Sequence, residues 1–284
     1  MRAVMPRTLP WIGACIALLL AAPTLPADEE VRRVEGLEFT RIALVGEVKA
    51  QIRQGDAHVL QVFGDRSDLD EEPFYVSNGG LLVLGKRRGS SRPADDVRFR
   101  VTLPALDKLS VNGSGAAYVK TFDLSGRGDD VTEFVVDGSG DLRIFGLEGG
   151  IAELRVKGSG DLRAVRVAVD EIEAVVSGSG DLFLKEVYAQ EGEFIVTGSG
   201  DLVVTEGGRV ERLEVNVIGS GDADLDDVSA RVAEVNVIGS GTATIGTVDE
   251  QLNASVLGSG DIRYRGEPET DTVALGSGEI RVRD

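Results

Sequence analysis

A three-residue phrase, Gly-Ser-Gly, returns nine times between residues 113 and 278, and no other feature limits the fold of this chain as tightly. Its first glycines are Gly113, Gly138, Gly158, Gly178, Gly198, Gly219, Gly239, Gly258 and Gly276, so the steps are 25, 20, 20, 20, 21, 20, 19 and 18 residues. A period near 20 is too long for local secondary structure and too short for a globular domain. Each unit is therefore one supersecondary element that buries its apolar face on its neighbours.

Alignment on the first glycine shows which side chains repeat. Two residues earlier stand eight valines, from Val111 to Val256, and then Ala274; four earlier stand Leu109, Phe134, Leu154, Ala174, Phe194, Val215, Val235, Ala254 and Thr272. After the phrase come Leu142, Leu162, Leu182, Leu202, Ala223, Ala243, Ile262 and Ile280, with a second apolar column two residues on. Alternation of this kind marks strands with one buried face. A third column, Leu147, Val167, Val187, Val228 and Val248, follows in most units. No amphipathic helical pattern of ten or more residues interrupts the repeats.

Equivalent strands that want the same inward column are satisfied when the chain winds so that they stack about 4.8 Å apart. The fold class is all-β: a right-handed parallel β-helix, or β-solenoid, with about 20 residues per coil. The hand follows from the strong preference for right-handed parallel crossovers. Nine or ten coils would make a rod on the order of 45 Å long. The phrase is its corner, where glycine supplies backbone angles closed to other residues and leaves room for close stacking. None of the nine copies opens a helix or carries the lysine of a phosphate-binding loop.

The first 27 residues stand apart. Arg2 and Arg7 are their only charges, and the apolar stretch from Trp11 to Ala22 is too short to span a bilayer, so residues 1–27 read as a secretory signal peptide. Most of that stretch follows Cys15, whereas a lipoprotein box needs it before the cysteine, which argues against lipidation there. Cys15 is the only cysteine, and cleavage leaves no disulfide framework. Residues 28–104 read as irregular β-rich N-terminal coils that cap the array, and residues 105–284 as the repeat solenoid, the two forming one continuous domain. Asn78-Gly79 in the first part is a tight-turn signal between two short strands. The formal net charge is −18, and removal of residues 1–27 makes it two units more negative. An acidic chain of this kind is a poor match for nucleic acid or an anionic membrane.

From Leu103-Pro104-Ala105-Leu106 through Asn112-Gly113-Ser114-Gly115 and the Gly-Ser-Gly-Asp-Leu array, the chain resembles the head GIN domain family over roughly residues 39–282. These are exported bacterial proteins described as auto-transporter adhesin heads. The resemblance implies a right-handed β-helix akin to the pectin-lyase-like shape without its catalytic residues, and a role in adhesion.

Two carboxylate columns are the sharpest chemical feature. Directly after the phrase stand Asp141, Asp161, Asp181, Asp201, Asp222 and Asp261; five residues before it stand Glu133, Glu153, Glu173, Glu193, Glu214 and Glu234. Stacked in register, each column sets like charges some 5 Å apart, where even bulk water leaves about 0.8 kcal/mol of repulsion per pair. One resolution is that the columns gather Ca²⁺ or another hard cation. The other is that each Asp caps its own turn while the Glu side chains splay into solvent or pair with Arg143, Arg155 and Arg163. Asn216 and Asn236 share a register position and could form an amide ladder. The lone His58 reads as an exposed strand residue, and Phe183 is the clearest outward aromatic of the repeats.

No catalytic residue and no cofactor is assigned. The expected function is that of a non-enzymatic exported module binding a cell-surface or envelope glycan or protein, located in the periplasm, at the outer membrane or on the cell surface. A polysaccharide-acting enzyme on the same helix would need long loops building a groove, and steps of 18 to 21 residues leave no room for them. A periplasmic scaffold without an external ligand is the third reading. An uncapped terminal coil exposes a strand edge, so an end-to-end homodimer is a further expectation.

Overall fold

The apolar columns flanking the phrase become two stacks of parallel strands. In a computed structural model describing residues 30–94 and 96–283, the chain is nearly all β, 67% strand and 2% helix, wound as a β-solenoid of about 8 turns with ~20 residues per coil. The signal-peptide assignment of residues 1–27 lies outside the described residues.

The stack before the phrase contains Lys108–Gly113, Val131–Gly138, Ile151–Gly158 and Glu171–Gly178, and continues in register to Glu269–Gly276. The stack after it contains Ala116–Val119, Asp141–Glu148 and Asp161–Ala168, and runs on to Ile280–Val282. Each repeated valine from Val111 to Val256 is buried, as are Leu142, Leu162, Leu182 and Leu202 and the whole third column. Of the largest buried side chains, Phe194 is accommodated by small neighbours, Ala174 on the preceding rung and Gly192 beside it. A Cβ at Gly192 would lie 2.9 Å from both the Phe194 ring and Val210.

The corner itself is a ladder of backbone contacts. Gly178 has φ of +128°, a region that L side chains rarely adopt, and the Gly158 carbonyl accepts from both Ser179 N–H (2.8 Å) and Gly180 N–H (3.0 Å). A Cβ on Gly180 would stand 2.0 Å from the Gly160 carbonyl oxygen. Glycine at both ends of the phrase is thus a condition for stacking at this spacing.

The turns number about 8 rather than nine or ten, and the N-terminal part folds back on itself. Glu30–Glu35 pairs antiparallel with Val59–Gly64, which pairs antiparallel with Arg98–Leu103, and Phe74–Val76 forms a hairpin with Leu81–Leu84. A short helix, Arg66–Asp70, buries Leu69 against this cap. Chain order and stacking order also differ. Arg41–Val45 lies between Leu81–Leu84 and Lys108–Gly113, and Lys49–Gln54 lies between Arg98–Leu103 and Ala116–Val119. His58 is half-buried rather than exposed: its Nε2 lies 2.8 Å from the Phe39 carbonyl, with its ring edge-on to Phe39.

Candidate binding faces

The solenoid carries its chemistry on the outward positions of its two stacks. On the stack before the phrase, Glu133, Glu153, Glu173, Glu193, Glu214 and Glu234 are consecutive register partners, ended by Lys108 on one side and Asn253 on the other. Cations relieve only part of this column. Lys108 pairs with Glu133, and Arg155 bridges Glu153 and Glu173, the latter at 2.9 Å. Desolvation raises the Glu153 carboxyl pKa, opposed by Arg155 and reinforced by Glu173 and Glu133. Desolvation likewise raises that of Glu193, with Glu214 and Glu173 adding to it. A shallow depression of about 290 Å³ opens over Gly192 between Glu173, Glu193, Glu214 and Arg212. The same face carries the amide ladder: Asn236 donates to Asn216 Oδ1 at 3.2 Å and Ser255 Oγ donates to Asn236 Oδ1 at 2.6 Å.

On the stack after the phrase, the aspartates reach forward along the rod instead of closing their own turns. Asp161, Asp181 and Asp201 each accept, through Oδ1, the backbone N–H of the aspartate one coil on, at 3.3, 3.0 and 2.9 Å. Asp222 does the same for Thr242 at 2.6 Å and Asp261 for Glu279 at 3.1 Å. That N–H bond, with help from Arg263 and Arg281 against partial desolvation, holds the Asp261 carboxyl below the usual range. The repulsion inherent in a stacked acid row is thereby offset by charge-assisted hydrogen bonds to backbone. Among the described residues, no group of three or more His, Cys, Asp or Glu is arranged to hold a metal ion.

Of the three arginines expected to pair with the glutamates only Arg155 does so, because Arg143 and Arg163 lie on this second face, where Phe183 is half-buried and Phe145 and Tyr188 are the more exposed rings. Next to the aspartate row, Tyr118, Arg143, Arg163 and Phe183 occupy consecutive rungs of one column. Arg143 lies over the Tyr118 ring at 5.8 Å and Arg163 over Phe183 at 4.9 Å. Beside them, the Lys120 ammonium lies 4.5 Å from the centre of the Phe145 ring, which is 48% exposed. Nearer the cap the same sheet shows Arg98 and Arg100 over Phe63 and an exposed Lys49. The molecule is thus two-sided: a glutamate column on one face, and cations interleaved with rings on the N-terminal half of the other. Recurring residue identity made the acid rows legible, whereas the members of this ladder differ in type from coil to coil.

No helix among the described residues is long and apolar enough to cross a membrane. Solved structures share the architecture. A "putative lipid binding protein" from Parabacteroides distasonis is 24% identical, with a TM-score of 0.63 over 91% of this chain and 98% of its own. A "putative adhesin" from Parabacteroides merdae is 15% identical, with a TM-score of 0.66 over 91% of this chain and 97% of its own. At these identities the likeness shows the fold. No curated protein matches the sequence. The profile of the family described as "putative auto-transporter adhesin, head GIN domain" matches residues 38–268, the greater part of the chain, and the protein belongs to that family.

Proposed function

We propose that this protein is an exported, non-enzymatic adhesive module that engages a cell-surface or envelope component, glycan or protein, along the faces of its shaft. The observation that carries this reading is the parallel stacking of both sets of strands from the Gly113 coil to the Gly276 coil, with register shifts only near Ala230 and Thr244, which gives the molecule long faces of repeated side chains in place of a loop-built cleft. Family membership supports adhesion and an extracellular or surface setting. The lipid-binding description of the Parabacteroides distasonis protein suggests a different ligand; outward charge covers most of the shaft here, and exposed apolar side chains line up only toward its C-terminal end, at Ile218, Ile238, Leu257 and Leu275.

The test is retention of purified residues 28–284 on intact cells and on isolated envelope fractions, with and without calcium, alongside protease treatment of cells that produce the protein. Retention together with cleavage at the surface supports the reading. Absence of retention in every fraction overturns it, and complete protection from protease turns the assignment toward a periplasmic scaffold. A retention that needs calcium would implicate the acid columns as cation ligands.

A further inference from the structure

The cation-and-ring ladder gathers several cations and rings on one face of an acidic molecule. Arg163 is held by carboxylates, Asp161 at 2.9 Å and Asp141 at 3.8 Å. Arg143, its register partner, is exposed and makes no ion pair among the described residues; the Tyr118 ring is the partner it has. Lys120 is in the same position over Phe145. These are two cations met, among the described residues, by a π-face and by no carboxylate, so their charge is not neutralised there.

We propose that this face binds an acidic polysaccharide laid along the rod, with Arg143 and Lys120 taking its acid groups and Tyr118, Phe145 and Phe183 packing against the apolar faces of its sugars. The inference rests on the adhesive reading and adds its ligand class. The four rungs from Tyr118 to Phe183 span about 14 Å at the usual strand spacing, room for a short run of sugars. An acid group drawn to Arg143 replaces the ring as the guanidinium's partner and frees that ring for the sugar beside it. The neighbouring aspartates suit the same ligand. Asp181 spends only Oδ1 on the Asp201 N–H, so Oδ2 remains to accept from sugar hydroxyls. Nucleic acid fits less well. Stacked rings with arginines also serve single strands, but the aspartate row alongside offers acceptors for hydroxyl groups, which a sugar chain presents at every unit and a DNA strand does not.

Affinity electrophoresis and titration calorimetry of residues 28–284 test this with polygalacturonate and heparin as acidic glycans, dextran as a neutral one and a single-stranded oligonucleotide as the competing class. Binding to an acidic glycan, with no binding to dextran and weaker or no binding to the oligonucleotide, is expected. Arg143→Gln should weaken it roughly tenfold, the loss of one charge-assisted hydrogen bond, and Tyr118→Ala should weaken it further. Lys157→Ala, an exposed cation on the opposite stack, should leave binding unchanged; circular dichroism and melting verify that each variant folds. The proposal is overturned by failure of both acidic glycans, by equal binding of dextran, by tighter binding of the oligonucleotide, or by an Arg143→Gln variant that binds like the parent. Retention on envelope fractions without binding to either acidic glycan removes this ligand class and leaves the adhesive reading standing; loss of both removes both.

Discussion

The Asp181 carboxylate accepts the backbone N–H of Asp201 at 3.0 Å, one full coil along the rod, so a side chain in one repeat holds the main chain of the next. Asp161, Asp201 and Asp222 make the equivalent contact. The row is an inter-coil tie, and its loss should act on stacking. Asp181→Ala is expected to lower stability by about 1–3 kcal/mol, the cost of leaving a backbone donor without its partner, while Asp181→Asn, which keeps an acceptor, should lose less. Urea unfolding midpoints of the two variants check the order.

The glutamate column should make stability depend on pH in a definite sense. Burial and its neighbours raise the folded-state pKa of Glu193, so the folded chain keeps that proton to higher pH than the unfolded chain. Between the two values the unfolded state binds fewer protons, and stability falls as pH rises through that window. Glu193→Gln should therefore melt above the parent at neutral pH and converge with it in acid, below the unfolded glutamate value of about 4.3. Asp261 works the other way. Its folded pKa is lowered, so its contribution is present above the unfolded value and is lost as pH falls through the folded one. Melting curves across the acid range, with Asp261→Asn as the contrast, separate the two.

The corner glycines differ from an ordinary turn glycine in having a coil directly beneath them. Gly180→Ala sets a Cβ 2.0 Å from the Gly160 carbonyl, backbone against backbone, and the coils must part to admit it. A loss of more than about 3 kcal/mol is expected, at the upper end for overpacking. Gly126→Ala, on the loop after Leu124, meets nothing within 4 Å and costs only the strain of its positive φ of +76°. Equilibrium unfolding of the pair should show a clear gap between them.

In the described residues nothing stacks on Glu269–Gly276, every residue of which is exposed. The opposite end carries the antiparallel cap, with short outer strands at Glu30–Glu35 and Phe74–Val76, so the longer open edge is expected to pair with another like it. Antiparallel pairing centred on Thr272 would set Asp271 against Val273 and Glu269 against Leu275 of a second copy, with no like charges opposed. Sedimentation should then show a concentration-dependent dimer that stops at two, and Val273→Lys should abolish it by placing a charge on the edge strand. A monomer at every concentration would remove this proposal.

The repeats were legible because each phrase and each apolar column recurs at a fixed offset, so Val176 or Leu182 can be placed from its own coil alone. The acid rows were legible for the same reason, but not what Asp181 bonds to. Its partner is 20 residues away, and a single repeat read by itself suggests a local cap. The ladder from Tyr118 to Phe183 is less visible still, since a tyrosine, two arginines and a phenylalanine look unrelated until register joins them. In the lead-in, short apolar runs such as Arg41–Val45 and Leu81–Leu84 announce strands but carry no repeated marker to fix their order.

That order has a bearing on how the molecule is made. Arg41–Val45 and Lys49–Gln54 lie second in the stack, covered on one side by Leu81–Leu84 and Arg98–Leu103 and on the other by Lys108–Gly113 and Ala116–Val119. Arg41–Val45 therefore gains its first neighbour in this stack only with residues 81–84 and Lys49–Gln54 only with residues 98–103, although domains generally form from the N-terminus. From then on each later coil needs only its predecessor. The rod thus grows from a first tooth whose rear edge is covered by chain encoded after it, not before it.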